Sequence, residues 1–187
     1  MEIVIKKLNK NQDLLNKVQI FLFNQIKREF GYGYVPEWHQ DIISLDDYYV
    51  NPKNNNFYVA FNEKTDEIIA TIGIRAYDKN FTQFRDKYSK DNTASIWRLF
   101  VDKAYRRCGL GSKMFCISEN FAKEVGFENI YLHTHKTLPG ALEFWTKMGF
   151  IVALDSNDDL QTVHMDKNIQ SIDINQGLSS FKYPIEF

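Results

Sequence analysis

The chain has 187 residues, of which 44% are hydrophobic and 15% aromatic, and its 23 basic and 24 acidic side chains give a formal charge of −1. This size and composition are typical of one globular domain with a substantial core. The balanced charge argues against general attraction to nucleic acid or anionic membrane, and no apolar run approaches the roughly 20 residues that cross a bilayer. Cys108 and Cys116 fit neither a disulfide framework nor a metal motif, which favours a reducing, cytoplasmic setting.

The first part of the chain predicts one strand and two helices. Residues 2–7 alternate as a strand does, and a helix with an amphipathic stripe follows to about Phe30. Asn9 and Gln12 have the pattern of a capping box at its start. Pro36 suits the first turn of a second helix. The apolar stripe of that second helix is predicted to consist of Trp38, Ile42, Leu45 and Tyr49.

A hairpin and a polar segment come next. Residues 57–62 and 67–77 are rich in strand-forming side chains and are joined by the polar residues 63–66, which predicts an antiparallel hairpin. Residues 78–93 are polar and charged, so a loop or a short irregular helix is expected there.

The central stretch, residues 95–112, predicts a buried strand, a turn and the start of a helix. Residues 96–101 are apolar and aromatic, and the helical spacing of apolar side chains from Leu110 onward continues until Gly126, a C-cap. Unpaired amides and the dipole at a helix start, next to two glycines and two arginines, favour phosphate binding. The glycines alone would also fit ordinary turns, and neither the Walker nor the dinucleotide pattern is present.

The remaining pattern predicts a strand at 129–134, a helix at 139–148 capped by Gly149, and strands at 150–153 and 160–165. The predicted order is therefore β-α-α-β-β-β-α-β-α-β-β. Such an order indicates an α/β protein whose single sheet mixes parallel and antiparallel pairs.

From about residue 57 to residue 167 the chain resembles the GNAT superfamily of acetyl-coenzyme A-dependent N-acyltransferases. Residues 106–111 (RRCGLG) fit the Arg/Gln-x-x-Gly-x-Gly/Ala loop of that family, and residues 141–150 (ALEFWTKMGF) are similar to its Ala-x-x-Phe-Tyr-x-Lys-x-Gly-Phe signature. The resemblance implies a single domain over residues 1–187, with an acceptor-side part at 1–56, a coenzyme-binding core at 57–167 and a tail at 168–187. It also implies a central sheet that splays between two strands, flanked by about four helices.

The resemblance further implies where acetyl-coenzyme A would bind. The amides of residues 107–112 would hold the pyrophosphate, residues 99–101 would lie along the pantetheine arm, and an amide near Leu99 or Phe100 would face the acyl oxygen. The implied coenzyme-binding residues are Leu99, Phe100, Val101, Arg106, Arg107, Cys108, Gly109, Leu110, Gly111 and Ser112. Cys108 is expected to contribute its backbone rather than act as a nucleophile, because no residue is identified that would activate its thiol.

The acid and base of the reaction are less clearly marked in the sequence. An alkylammonium with a pKa of about 10.4 must lose a proton before it attacks. The Glu and Tyr that the family often uses are replaced here by Ser95 and Trp145, and an indole cannot exchange a proton near neutral pH. His133 and His135 are the replacement candidates, since they share one strand face and titrate near neutrality; the alternative is that they are ordinary strand histidines. Scattered histidines do not suggest a metal.

The acceptor side is predicted at the junction of the first two helices, where the family varies with its amine. Tyr32, Tyr34, Trp38 and His39 are the proposed acceptor-binding residues. Trp38 could equally belong to the buried stripe of its helix. The acceptor would be a small-molecule or peptide amine, and aromatic residues of the tail predict a possible homodimer contact. Those tail residues are Phe181, Tyr183 and Phe187.

Three functional hypotheses follow. The first is an N-acetyltransferase that uses direct attack in a ternary complex. The second is a catalytically silent acyl-coenzyme A sensor or assembly subunit, which the missing Glu and Tyr motivate. The third, a nucleotide-phosphate enzyme of another fold, is the weakest because it requires ATP or NAD to outcompete coenzyme A.

Overall fold

The computed structural model describes residues 2–79 and 81–170. Over these residues the predicted order of strands and α-helices is confirmed, with short 3₁₀ and π-helical turns in addition. The strands are β1 (Ile3–Lys7), β2 (Asn56–Asn62), β3 (Glu67–Ala76), β4 (Thr93–Val101), β5 (Asn129–His135), β6 (Ile151–Asp155) and β7 (Thr162–Asn168). The α-helices are α1 (Gln12–Phe30), α2 (Pro36–Ile43), α3 (Leu110–Val125) and α4 (Ala141–Lys147).

The seven strands form one mixed sheet, as the sequence pattern predicted, and the structure shows their order to be β1-β2-β3-β4-β5-β7-β6. The β1–β2, β2–β3, β5–β7 and β6–β7 pairs are antiparallel, whereas β4 and β5 are parallel. The parallel ladder is short. It joins the first three residues of each strand, from Thr93–Asn129 to Ser95–Tyr131, although β4 continues to Val101 and β5 to His135.

The described residues divide into two compact units, each discontinuous in the sequence. The first comprises residues 2–75 and 97–118, and the second comprises residues 76–96 and 119–170. In the first unit the apolar face of α1 packs on the hairpin of β2 and β3, because helical spacing brings its large side chains to one side. The buried members of this core include Leu15, Val18, Leu22, Ile26, Phe57 and Val59.

An aromatic cluster forms part of the core of the second unit. The polar segment after β3 contains a 3₁₀ turn, Thr82–Phe84, that places Phe84 and Tyr88 with their ring centroids 5.9 and 5.1 Å from that of Tyr131. The Tyr88 hydroxyl donates to Asp166 over 2.6 Å. This segment was expected to be a loop or a short irregular helix, and its aromatic side chains make it part of the core.

Two local predictions about the first helices are wrong. The N-cap of α1 is Asn11, whose side chain accepts the Leu14 N–H at 2.9 Å, rather than Asn9 in a box with Gln12. The Asn9 side chain instead accepts the Asn11 N–H at 3.0 Å, and the N-cap lies two residues later than predicted. Trp38 is not in the buried stripe: it is 54% exposed, and it lies next to a kink of α2 at His39, where φ is −124° and ψ is 17°.

No helix in the described part of the chain is both long and apolar enough to cross a membrane. The predicted dimer contacts at Phe181, Tyr183 and Phe187 lie outside the described residues.

Candidate functional site

The connection between β4 and α3 folds into a tight loop with two left-handed residues. Asp102 caps a 3₁₀ turn, Lys103–Tyr105, through a 3.0 Å hydrogen bond from the Ala104 N–H to its carboxylate. Arg107 (φ 65°) and Gly109 (φ 82°) then turn the backbone before α3 begins. Glycine adopts this left-handed conformation without a side-chain penalty, which explains why a glycine occupies position 109 of the loop.

The amides of residues 107–112 form the most distinctive feature of this loop. Within the described ranges no hydrogen bond engages their N–H groups, and the first amide to bond back is that of Lys113, to the Gly109 carbonyl at 3.0 Å. The loop leads directly into a helix of 16 residues, whose dipole adds partial positive charge at this end. Unengaged amides at the start of a helix are well suited to bind an anion.

Helix α1 holds this loop in place from one side. The Asp102 carboxylate accepts hydrogen bonds from Arg28 at 2.8 Å and from Gln25 at 3.4 Å, and Glu29 pairs with the Arg106 guanidinium. Burial raises the pKa of the Asp102 carboxyl, but hydrogen bonds from the Ala104 amide, Arg28 and Gln25 outweigh it, so the pKa is lowered and the carboxylate stays ionised.

The sequence reading missed these bracing residues. Their signal in the sequence is weak: Gln25 is a polar residue among the apolar side chains of one face of α1, one turn from Arg28. The structure shows that this face is buried and that Gln25 is only 2% exposed. A buried polar side chain on an apolar helix face indicates a fixed partner, but the sequence does not say which one.

The predicted coenzyme-binding side chains differ in what they contact. The Arg106 Nε donates to the Val101 carbonyl at 2.9 Å, so this guanidinium is engaged by the loop itself as well as by Glu29. The Cys108 Sγ lies 2.9 Å from the Tyr105 carbonyl, and Leu110 is buried at 4% exposure. Arg107 is exposed and carries its charge within the segment of unengaged amides.

The end of β4 departs from regular strand geometry immediately before residues 99–101. Arg98 has a φ of 49°, and its carbonyl accepts a 2.9 Å hydrogen bond from the Thr71 hydroxyl of β3. At the end of the strand the Asp102 amide donates to the Ile69 carbonyl at 2.8 Å. Residues 99–101 are half-buried between these two contacts with β3.

The structure brings the four predicted acceptor-side residues together. The ring centroid of Tyr32 lies 5.6 Å from that of Trp38 and 6.0 Å from that of His39, and Tyr34 is 6.1 Å from His39. Tyr32, Tyr34 and Trp38 are 37%, 49% and 54% exposed, so they form an exposed aromatic surface around the ring of His39. That surface suits an organic ligand that bears a cation or an apolar group.

His39 differs from its three neighbours because it is buried at 1% exposure. Its Nδ1 accepts the Val35 N–H at 2.8 Å. Burial lowers the pKa of this imidazole, Arg98 lowers it further and Asp41 only partly opposes them, so the ring is neutral at pH 7. His39 thus supports the aromatic surface from beneath and anchors the start of α2.

The two histidines predicted as bases lie on β5, in the second unit. His133 is opposite His164 of β7, with ring centroids 6.1 Å apart, and its ring lies 6.3 Å from that of His135. The His135 Nδ1 donates to the Leu160 carbonyl at 3.1 Å, which leaves Nε2 as the basic nitrogen of that ring. Both histidines are half-buried.

Ser95 and Trp145 occupy the positions where the resemblance would place an acid or a base. Ser95 is buried at 1% exposure, and its hydroxyl has no hydrogen-bond partner in the described part of the chain. Trp145 is buried at 7% exposure and packs edge-to-face on Phe144 and Phe150, at centroid distances of 4.8 and 5.3 Å. The contacts of Trp145 are those of a core residue.

Comparison with known proteins connects this geometry to a family. A profile described as "Acetyltransferase (GNAT) family" matches residues 20–150. The "Probable N-acetyltransferase san" of Drosophila melanogaster is 41% identical over 66 residues, which are 32% of this chain and 36% of that protein, so the match spans about a third of the relative.

Solved structures of the same fold cover nearly the whole chain. A GNAT-family acetyltransferase from Staphylococcus aureus Mu50 superposes with a TM-score of 0.72 at 24% identity, over 90% of this chain and 100% of that one. The PaiA N-acetyltransferase of Thermoplasma acidophilum, solved in complex with coenzyme A, gives a TM-score of 0.63 at 20% identity, over 90% of this chain and 99% of that one. Because the profile spans well over half of the sequence and the folds agree, this chain belongs to the GNAT family of acetyltransferases.

Proposed function

We propose that this protein is an N-acetyltransferase that transfers the acetyl group of acetyl-coenzyme A to a primary amine by direct attack in a ternary complex. The observation that carries the proposal is the set of unengaged amides of residues 107–112 at the start of α3. Family membership supports it, and so does the Thermoplasma acidophilum relative, which was solved with coenzyme A bound.

The donor substrate would bind mainly through backbone groups. The diphosphate would accept hydrogen bonds from the amides of residues 107–112, with added charge from the exposed Arg107. The pantetheine arm would run along residues 99–101. The bracing by Asp102 and Glu29 fixes the loop before the substrate arrives, which lowers the entropic cost of binding.

The reaction would be a single displacement at the thioester carbonyl. The neutral amine forms a C–N bond to the acyl carbon, the C–S bond breaks, and the coenzyme thiolate leaves with the electron pair while the amine loses a proton. An amide near Leu99 or Phe100 would stabilise the tetrahedral oxyanion, a contribution of about 3 kcal/mol. Holding the amine beside the thioester supplies much of the remaining rate enhancement.

The proton must leave through a group other than those the family often uses. The core packing of Trp145 and the buried hydroxyl of Ser95 give neither residue a role as a base near neutral pH. We therefore keep His133 and His135 as the proposed bases. For His135 the proposal concerns Nε2, because Nδ1 is bonded to the Leu160 carbonyl.

The amine would approach the aromatic surface of Tyr32, Tyr34 and Trp38. Their side chains are exposed to a ligand, and a cationic or apolar acceptor gains from contact with aromatic rings. His39 is assigned a supporting role in this proposal, because its Nδ1 is engaged by the Val35 amide and its ring is buried.

The test is a thiol-release assay with acetyl-coenzyme A and a panel of small amines, amino sugars and peptide N-termini. Turnover with at least one amine is expected, and the same assay on Gly109→Asp should show none. The alternative is the silent acyl-coenzyme A sensor, which the replaced Glu and Tyr favour. It predicts thermal stabilisation by acetyl-coenzyme A without turnover of any amine, and that result would displace the transferase proposal.

A further inference from the structure

Arg98 holds a backbone conformation that its position in a strand does not explain. It lies inside β4, yet its φ is 49°. For a residue with a Cβ, the left-handed region is sterically strained. Such a conformation persists only where the surroundings fix it from several sides, and it is found most often near functional sites.

The Arg98 side chain is fixed by α2. Its Nε donates to Asp41 Oδ2 at 3.0 Å, and its Nη2 donates to Asp41 Oδ1 and to the Trp38 carbonyl, both at 2.6 Å. Asp41 also accepts the Tyr49 hydroxyl at 2.7 Å. Since the Thr71 hydroxyl holds the Arg98 carbonyl, this residue is tied both to β3 and to α2.

The Asp41–Arg98 pair is ionic and nearly dry. The two side chains are 4% and 14% exposed. Burial raises the pKa of the Asp41 carboxyl, but Arg98 and the Tyr49 hydroxyl outweigh it and the pKa is lowered. A buried pair of this kind seldom stabilises a fold more than apolar side chains of the same size would. Stability is therefore a poor reason for placing it on a strained residue.

The position of the pair in the fold offers a better reason. Arg98 immediately precedes residues 99–101, which the proposed function assigns to the acyl donor, and its Nη2 contacts the backbone of Trp38, which the proposed function assigns to the acceptor surface. All of these residues belong to the first unit. The Arg98 side chain thus connects the backbone next to the proposed donor site with the backbone of the proposed acceptor surface.

We propose that Arg98 is a positioning residue: through Asp41 and the Trp38 carbonyl it holds the left-handed turn of β4 that aims the amides of Leu99 and Phe100 at the acyl oxygen. This inference rests on the proposed transferase function. It adds a residue that touches neither substrate and acts through the backbone.

The informative substitutions are Arg98→Gly and Asp41→Asn. Glycine adopts the left-handed turn without strain but lacks the guanidinium, so it separates the side-chain contacts from the backbone preference. Asp41→Asn keeps the shape of the partner and removes its charge, and it remains available if Arg98→Gly folds poorly. Lys17→Ala is the control, because it removes an exposed ion pair with Asp66 from the same unit.

Misplacement of a reacting group by about 1 Å can cost roughly 100-fold in rate, so kcat of Arg98→Gly is expected to fall by about that factor. Coenzyme A affinity, measured by calorimetry, should stay within about threefold, since the amides of residues 107–112 are unchanged. Added methylguanidinium should restore part of kcat in Arg98→Gly and none in wild type. An Arg98→Gly or Asp41→Asn variant that keeps wild-type kcat would overturn the inference.

A readout that does not need turnover separates this inference from the proposed function. In wild-type protein the Leu99 and Phe100 amide resonances should differ between the coenzyme A and acetyl-coenzyme A complexes, and that difference should be lost in Arg98→Gly and kept in Lys17→Ala. If wild type binds acetyl-coenzyme A but acetylates no amine, the transferase proposal fails, and these resonances still decide the role of Arg98. Equal spectra for the two wild-type complexes, or an unchanged difference in Arg98→Gly, would refute the positioning role.

Discussion

Substitution of Gly109 by alanine tests the proposed diphosphate site most directly. Gly109 has a φ of 82°, and a Cβ added to it would meet no heavy atom within 4 Å. The side chain would therefore extend into open space beside the unengaged amides of residues 107–112. The cost to the fold is only conformational, whereas the cost to a ligand that closely approaches this backbone is steric.

The expected loss of stability is small. Alanine in the left-handed region costs roughly 1–2 kcal/mol. For a chain of this length each 1 kcal/mol lowers Tm by about 2–4 °C. Gly126→Ala is a matched control, because Gly126 also has a positive φ, 97°, and open space around its Cβ position, but it lies at the C-terminal end of α3. The two variants should unfold at similar temperatures.

Coenzyme A binding should separate the two variants. Gly126→Ala is expected to bind as wild type does, and Gly109→Ala about tenfold or more weakly, a loss of about 1.4 kcal/mol. Gly109→Asp adds a carboxylate near the diphosphate. At about 4 Å and an effective dielectric constant of about 20 the repulsion is roughly 4 kcal/mol, which solvent and salt reduce at this exposed position.

Isothermal titration calorimetry with coenzyme A measures these differences, and thermal unfolding without ligand measures the stability term. Equal coenzyme affinity in Gly109→Ala and Gly126→Ala would contradict the placement of the diphosphate at this loop. So would a Gly109→Asp variant that binds coenzyme A as tightly as wild type.

Three further predictions concern packing, catalysis and pH. Gly73→Ala should destabilise the first unit by about 1–3 kcal/mol in chemical denaturation, because the new Cβ would lie 2.7 Å from Tyr49 Cε1; an unchanged midpoint would contradict the close packing. If His133 or His135 is the base, replacing it by alanine should lower kcat about 10²–10⁴-fold, while an unchanged kcat in both variants would exclude them. Asp102→Asn should be less stable than wild type at pH 7. Folding lowers the pKa of Asp102, so its contribution to stability is present above the unfolded pKa of about 3.9 and is lost as pH falls through the folded pKa. The free energies of unfolding of wild type and Asp102→Asn should therefore converge in acid, and a constant difference between them would contradict this.

The local patterns in the sequence were sufficient for the elements and for the loop that follows β4. Helical and strand periods depend on neighbours along the chain, and the glycines and arginines of residues 106–111 lie within one turn of each other. The prediction of the helix cap was wrong even at this short range. Asn9 and Asn11 both offer a side-chain oxygen, and only the folded helix shows that Asn11 caps it. The short spacing between Tyr32 and His39 was likewise enough to predict their neighbourhood, but not which ring would be buried.

The sequence by itself determined the order of elements and the position of the glycine-containing loop after β4, because each is set by residues close together in the chain; that order in turn indicated a mixed sheet. Only the tertiary structure decided which charges meet. Asp41 and Arg98 are 57 residues apart and Arg28 and Asp102 are 74 apart, and nothing in their local sequence marks them as partners. Their pairing depends on how α1 and α2 pack on the sheet. Packing also fixes how far each charge is removed from water, and hence whether it positions the backbone or remains solvated.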